Sequence, residues 1–316
     1  MGNTLYVIVP CYNEEECLND SANILKQTML NLMQEGLIKN DSKILFVNDG
    51  SSDKTWDIIT NLHQTDKLFS GLSLSRNRGH QNACFAGLSY AYNYADMLIT
   101  IDADLQDDVS CIRQMVLEFA KGYEVVYGVR SSRKKDSFFK RFTAQTYYKL
   151  LAKMGIEIVY NHADCRLMSK RATEALLAFG EVNLFLRGMV PQIGYKSTYV
   201  TYPRFERTKG KSKYSFRKML SLAWNGITSF SVKPLKFITF LGTIIFFISF
   251  NFLIVFSILF GIKVIPFTLD FYIIVSIWLA TSLMLIASGL LGEYIGKIHQ
   301  EVKHRPRFFI EDILND

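Results

Sequence analysis

The chain has 316 residues, 49% of them hydrophobic and 21% charged, with a net charge of +7 at neutral pH. That length admits two ordinary domains, or one large domain with appendages. The five cysteines (Cys11, Cys17, Cys84, Cys111, Cys165) are scattered, odd in number and lack metal-ligand spacing, which argues for reduced thiols over a disulfide framework.

Met1 to Thr4 carries no positive cluster, and the first apolar run stops at Pro10, so no signal peptide is expected and the first domain should lie in the cytoplasm. Leu5 to Pro10 predicts a strand, followed by a helix from about Glu15 to Gln34. Lys43 to Asn48 predicts the next strand, ending in the polar turn Asp49-Gly-Ser-Ser-Asp53, and a helix follows from about Thr55 to Gln64. Gly71 to Ser75 is a third strand, Gln81 to Tyr94 a helix, Met97 to Ile101 a fourth strand and Val125 to Val129 a fifth. Strands alternating with helices imply a mostly parallel α/β sheet with helices on both faces. Ligands of such sheets sit beyond the carboxyl ends of the strands. The clusters Cys11 to Glu14, Asn48 to Asp53, Arg76 to His80 and Asp102 to Gln106 all follow strands directly, so one shared site is expected.

Between Tyr214 and Val232 apolar and basic residues mix around Trp224, suggesting amphipathic helices in a membrane interface. Phe237 to Ile262 and Phe271 to Gly292 carry no charged residue, and each exceeds the roughly 20 apolar residues needed to cross a bilayer. Lys209, Lys211, Lys213, Arg217, Lys218, Lys233 and Lys236 precede the first run, and Lys297, Lys303, His304, Arg305 and Arg307 follow the second. Cations on both outer ends predict two spans with both termini in the cytoplasm. These cations cluster at membrane boundaries and no nucleic-acid motif accompanies them, so an anionic lipid surface is the expected partner. The expected organisation is a catalytic domain over 1–213, juxtamembrane helices over 214–234, a two-helix hairpin over 235–292 and a C-terminal tail over 293–316.

Asp102 and Asp104 at a strand end project to the same side of a pleated chain. Such carboxylates suit a hard divalent cation that also binds substrate phosphates. An EF-hand fails because Asp107 stands where glycine is required and Arg113 where glutamate is required. No dinucleotide-binding glycine fingerprint follows the first strand, and no phosphate P-loop occurs.

The segments Val9-Pro-Cys-Tyr-Asn-Glu14, Val47-Asn-Asp-Gly-Ser-Ser-Asp53, Arg76-Asn-Arg-Gly-His-Gln-Asn-Ala83 and Asp102-Ala-Asp-Leu-Gln-Asp107 occur in order at familiar spacings. Together with His162-Ala-Asp-Cys-Arg-Leu-Met168, Arg207-Thr-Lys-Gly-Lys-Ser-Lys213 and Gly292-Glu-Tyr-Ile-Gly296, they make the chain similar to the inverting polyprenyl-phosphate glycosyltransferases. That group includes dolichol-phosphate mannose synthase and the bactoprenol glucosyltransferases, and the likeness implies a GT-A catalytic domain. It implies that Pro10, Tyr12, Glu14 and Asp49 hold the base and ribose of the donor, with Asp102 and Ala103 on the ribose and diphosphate side. It also implies Mg²⁺ or Mn²⁺ on Asp104 and Gln106, with Arg207 and Lys213 closing over the diphosphate. Arg130 and Arg141 match acceptor-phosphate positions. Asp164 matches the aspartate of a Gly-Asp-Phe-Arg segment, although Ala163 and Cys165 replace Gly and Phe; either a role at the sugar or a salt bridge to Arg166 fits it. His80 and His162 lack the neighbours of a metal ligand, although His80 could contact the donor.

The reaction implied is a single displacement at the anomeric carbon by the lipid phosphate, catalysed by Asp102, Asp104 and Asp164. The donor preference leans toward UDP-glucose, with UDP-N-acetylglucosamine next, and the acceptor toward undecaprenyl phosphate. A processive polysaccharide synthase is disfavoured because none of Trp56, Trp224 and Trp278 follows an arginine. A non-catalytic membrane scaffold is the remaining alternative. The glycines Gly289 and Gly292 suit helix association, and relatives suggest a homo-oligomer, a tetramer among the options.

Overall fold

In the computed structural model the described residues are 2–131, 162–181, 184–203 and 269–315, with isolated positions between 240 and 262. The chain divides into two compact units, Met1–Met219 with Arg305–Asp316, and Leu220–His304.

The first unit is built on one sheet. Its strands are β1 (Leu5–Cys11), β2 (Lys43–Asn48), β3 (Phe69–Leu74), β4 (Met97–Thr100), β5 (Val125–Arg130), β6 (His162–Ser169), β7 (Ser197–Tyr202) and β8 (Ile310–Leu314). The helices are α1 (Leu18–Gln34), α2 (Thr55–Thr65), α3 (His80–Ala91), α4 (Cys111–Ala120), α5 (Lys170–Leu177) and α6 (Leu186–Gln192). The strand order is β7-β5-β6-β4-β1-β2-β3-β8. β4, β1, β2 and β3 run parallel, while β6 is antiparallel to both β4 and β5, and β8 is antiparallel to β3. The mostly parallel sheet expected from the alternation of strands and helices is thus present.

All seven residues of β1 are buried, as a parallel strand covered on both faces requires. Leu5, Val7 and Val9 join the core that α1 covers with Leu18, Ala22, Leu25, Met29 and Leu32, spaced as one face of a helix. On the other face α3 comes close: a Cβ on Gly87 would stand 2.5 Å from Ile8 and 2.8 Å from Val47.

Several boundaries differ from the sequence expectation. The first helix starts at Leu18, not Glu15, because Asn13 adopts φ 52° and a turn follows. α3 ends at Ala91, three residues short of Tyr94. β6, β7 and β8 were not expected as strands. The residues after the second apolar run do not all form a separate tail, since Arg305–Asp316 belong to the first unit and β8 forms the sheet edge beside β3.

The second unit contains α7 (Leu269–Val302), 34 residues long, which encloses the charge-free run Phe271 to Gly292. No helix, taken over its described residues, is long and apolar enough to cross a membrane. Many side chains of α7, the juxtamembrane segment 214–232 and nearly all of 237–262 lie outside the described residues.

Candidate active site

The carboxyl ends of β1, β2 and β4 bring three of the expected clusters together. β1 lies between β2 and β4 in parallel register, so the turns that leave these strands are neighbours. The first two are laced by hydrogen bonds. Asn13 N donates to Ser51 Oγ at 3.0 Å, Ser52 N to Asn13 Oδ1 at 2.9 Å, and Glu14 N to Thr55 Oγ1 at 2.9 Å. Pro10 ends up buried in β1, whereas Tyr12 is 39% exposed beside Glu14. Ser21 of α1 donates to the Ala103 carbonyl at 2.6 Å and so ties the Asp102–Gln106 turn to the same edge.

Asp49 is 2% exposed and accepts from the backbone amides of Arg78 (2.7 Å) and Gly79 (2.9 Å). Burial pushes its carboxyl up, opposed by these two amides. Asp49 therefore organises the loop that leads into α3. Gly50 completes the fit at φ 61°, where a Cβ would stand 2.5 Å from the backbone of Arg76 and Asn77. A cavity of about 600 Å³ opens beside this turn, lined among others by Asn48, Ser51, Trp56, Arg76, Glu311 and Asp312.

The antiparallel pairing of β4 with β6 matches Thr100 to Arg166. Extending that register by two residues sets Asp102 level with Asp164, and Thr100 Oγ1 donates to the Asp164 carbonyl at 2.7 Å. His80, at the start of α3, shares a hydrogen bond of 2.8 Å between Nε2 and Asp102 Oδ1. Ligand-type atoms of His80, Asp102 and Asp164 all lie within 4.8 Å of one another.

Two carboxylates that close repel by about 3 kcal/mol at an effective dielectric near 20, so compensating cations are required. Arg187 of α6 supplies one through a two-pronged contact, Nε to Asp164 Oδ1 at 3.0 Å and a terminal nitrogen to Oδ2 at 2.8 Å. Arg166, 2% exposed, adds a longer contact of 3.4 Å. Burial raises the Asp164 carboxyl, but Arg187, then His80 and Arg166, outweigh it and hold the group well below the usual carboxylate range. The His80 imidazole is held well above its ordinary value by Cys84 and Asp102, against burial.

Asp104 is not part of this trio. Gln106 donates to it twice, from N at 3.3 Å and from Nε2 at 2.9 Å, in a turn where Leu105 adopts φ 41°. Two adjacent oxygen-bearing side chains suit a hard divalent cation whose remaining positions phosphate and water complete. The His80–Asp102–Asp164 trio fits a cation less well, because its negative charge is already met by His80 and two guanidinium groups.

Arg130 grips Asp107, which is 2% exposed, with Nε at 2.9 Å and a terminal nitrogen at 3.2 Å. Arg141, Arg207 and Lys213 lie outside the described residues. Sequence reasoning missed Arg187 and Asp107. Nothing in local sequence marks Arg187, which reaches Asp164 only through the β6–α5–α6 excursion; Asp107 was visible as the end of the Asp102–Asp107 segment.

The family described as glycosyl transferase family 2 matches residues 6–177. YkoT of Bacillus subtilis, described as an uncharacterized glycosyltransferase, is 50% identical over 320 residues, covering 99% of this chain and 93% of that protein. The bactoprenol glucosyl transferase of Shigella phage SfV is 38% identical over 310 residues, covering 97% of each. A prophage bactoprenol glucosyl transferase homolog of Escherichia coli K12 is 37% identical over 311 residues, covering 97% of this chain and 98% of that one. Among solved structures, glucosyl-3-phosphoglycerate synthase from Mycobacterium tuberculosis aligns with 72% of this chain and 79% of its own at 15% identity and a TM-score of 0.45.

Proposed function

The chain belongs to glycosyl transferase family 2, and we propose that it transfers glucose from UDP-glucose to the phosphate of a polyprenyl lipid at the cytoplasmic face of a membrane. The observation that carries this reading is the 38% identity to bactoprenol glucosyl transferases over nearly the full length of both chains. That alignment takes in the apolar runs as well as the catalytic domain.

The phosphate of a polyprenyl monoester has a second pKa near 6, so the nucleophile is already largely ionised at neutral pH. No strong general base is needed, and positioning with charge stabilisation can supply the rate. The geometry supports that division of work. Glu14 and Asp49 stand at the carboxyl ends of β1 and β2, where a base and ribose would lie. Asp102 and Asp164 flank the adjoining space, and His80 bridges toward both. Mg²⁺ or Mn²⁺ bound with the diphosphate at Asp104 and Gln106 would neutralise charge on the departing nucleotide. Arg141 would meet the acceptor phosphate with its guanidinium fork, while Arg130, whose Nε and one terminal nitrogen hold Asp107, would offer only its remaining N–H groups. In-line attack would invert the anomeric centre and give a β-linked lipid phosphate sugar from an α-linked donor.

The apolar run within α7 and the run over 237–262 would anchor the enzyme, with both termini cytoplasmic and an assembly of several copies.

The test uses purified full-length protein in detergent with undecaprenyl phosphate, Mg²⁺ or Mn²⁺ and a panel of labelled nucleotide-sugars. UDP-glucose should put label into the lipid phase. Asp104→Ala should lower that transfer by about a hundredfold or more, in line with losing several kcal/mol of charge stabilisation. An α-linked product, a different preferred donor or full activity in Asp104→Ala would each contradict the corresponding part of the reading.

A further inference from the structure

We propose that Arg187 is a positioning residue for the transfer reaction, fixing the side chain of Asp164 beside Asp102 and His80. The inference rests on the function proposed above.

Pairing of β6 with β4, and the bond from Thr100 Oγ1 to the Asp164 carbonyl, fix the Asp164 backbone. They leave its side-chain torsions open. A bidentate guanidinium closes that freedom, because each carboxylate oxygen meets its own nitrogen, at 3.0 and 2.8 Å. Arg166 cannot do the same from its place in β6, since it reaches only one oxygen, at 3.4 Å.

The segment that carries Arg187 is itself tied to the site. Leu186 N donates to Gln81 Oε1 at 2.9 Å, and Gln81 follows His80 on α3. Leu186, Met189 and Val190 are buried, so α6 is anchored by packing as well. A closed circuit results: Asp102 to His80, along α3 to Gln81, across to Leu186 and Arg187, and back through Asp164 to the level of Asp102. Any shift of α6 therefore reaches both carboxylates. The Arg187 side chain is 31% exposed and that of Asp164 26%. With both side chains part-exposed, the pair adds a modest increment to stability and chiefly fixes geometry.

The experiment compares wild type, Arg187→Met, Arg187→Lys, Asp164→Asn and the double variant Arg187→Met/Asp164→Asn. Each is the full-length chain in detergent with UDP-glucose, undecaprenyl phosphate and Mg²⁺, with kcat, donor KM and thermal unfolding measured. Arg187→Met should lower kcat about a hundredfold, as a misplaced group does, while donor KM moves by less than about threefold and the unfolding temperature falls by only a few degrees. Asp164→Asn should lose as much, and the double variant no more than the worse single, because both act through one carboxylate. Arg187→Lys keeps the charge without the fork and should fall in between, within about tenfold of wild type. Should Arg187→Met not fold, the lysine variant and its combination with Asp164→Asn carry the same comparison. Additive losses, or an Arg187 variant with wild-type kcat, would overturn the positioning role while leaving the function intact. A wild type that makes no lipid product from any donor would instead sink the functional reading, and this role with it.

Discussion

Both oxygens of Asp49 are engaged by backbone amides, Arg78 at 2.7 Å and Gly79 at 2.9 Å. An amide in place of that carboxylate keeps one acceptor and turns the other into a donor facing a donor. Asp49→Asn should therefore cost about 1–3 kcal/mol and raise the donor KM, since the loop it holds leads directly into His80. Thermal unfolding and donor titration check both, and an unchanged unfolding temperature would contradict the bonding described. Asp164 gives a pH signature of known sign. Its folded-state carboxyl lies well below the unfolded value, through Arg187, His80 and Arg166 acting against burial. The stability it contributes is thus fully present above the unfolded pKa of about 3.9 and is lost as pH falls below it through the folded value. Between about pH 5 and pH 2, wild type should lose more stability than Asp164→Asn. Parallel unfolding curves across that window would refute the assignment.

At the scale of elements, the turns are what fix the site, and Gly50 is the most constrained point among them. Its φ of 61° and the 2.5 Å approach of the Arg76 and Asn77 backbone leave no room for a Cβ. Gly50→Ala should cost about 2 kcal/mol or more and impair donor binding; unfolding at the wild-type temperature would show that the loop has space to give. The strands that carry Asp49, Asp102 and the Cys11–Glu14 turn were legible because buried parallel strands are continuous apolar runs. β6 was hidden because its sequence, HADCRLMS, interrupts the apolar pattern with the charges that the site uses. β8 was hidden for another reason: Ile310-Glu-Asp-Ile-Leu314 lacks clean alternation, and its pairing with β3 shifts register between Ser73 and Leu74. Arg187 was illegible because its partner lies 23 residues away in sequence.

For the molecule as a whole, the charge pattern was as informative as the fold. Basic flanks outside two charge-free runs predict a hairpin with both ends on one side. Reporter fusions at either terminus should give cytoplasmic signals, and the chain should remain with the membrane fraction after alkaline washing. A reporter signal from the far side of the membrane at one end only would require an odd number of crossings. The compositional asymmetry that revealed these runs says nothing about the sheet edge. Arg307, just beyond α7, stacks over the Phe85 ring at 4.3 Å and also donates to the Phe179 carbonyl.

β8 also has a consequence for the order in which the chain is made. β3 ends at Leu74 and its partner begins at Ile310, so 235 residues lie between the two. At about 5–20 residues per second, a ribosome needs on the order of 12 to 47 seconds to deliver that partner. For this interval the nascent domain presents an unpaired β3 backbone, the kind of edge that recruits foreign strands. The sheet cannot be completed until both apolar runs have already left the ribosome, so closure of the catalytic fold is the last event of the chain's synthesis.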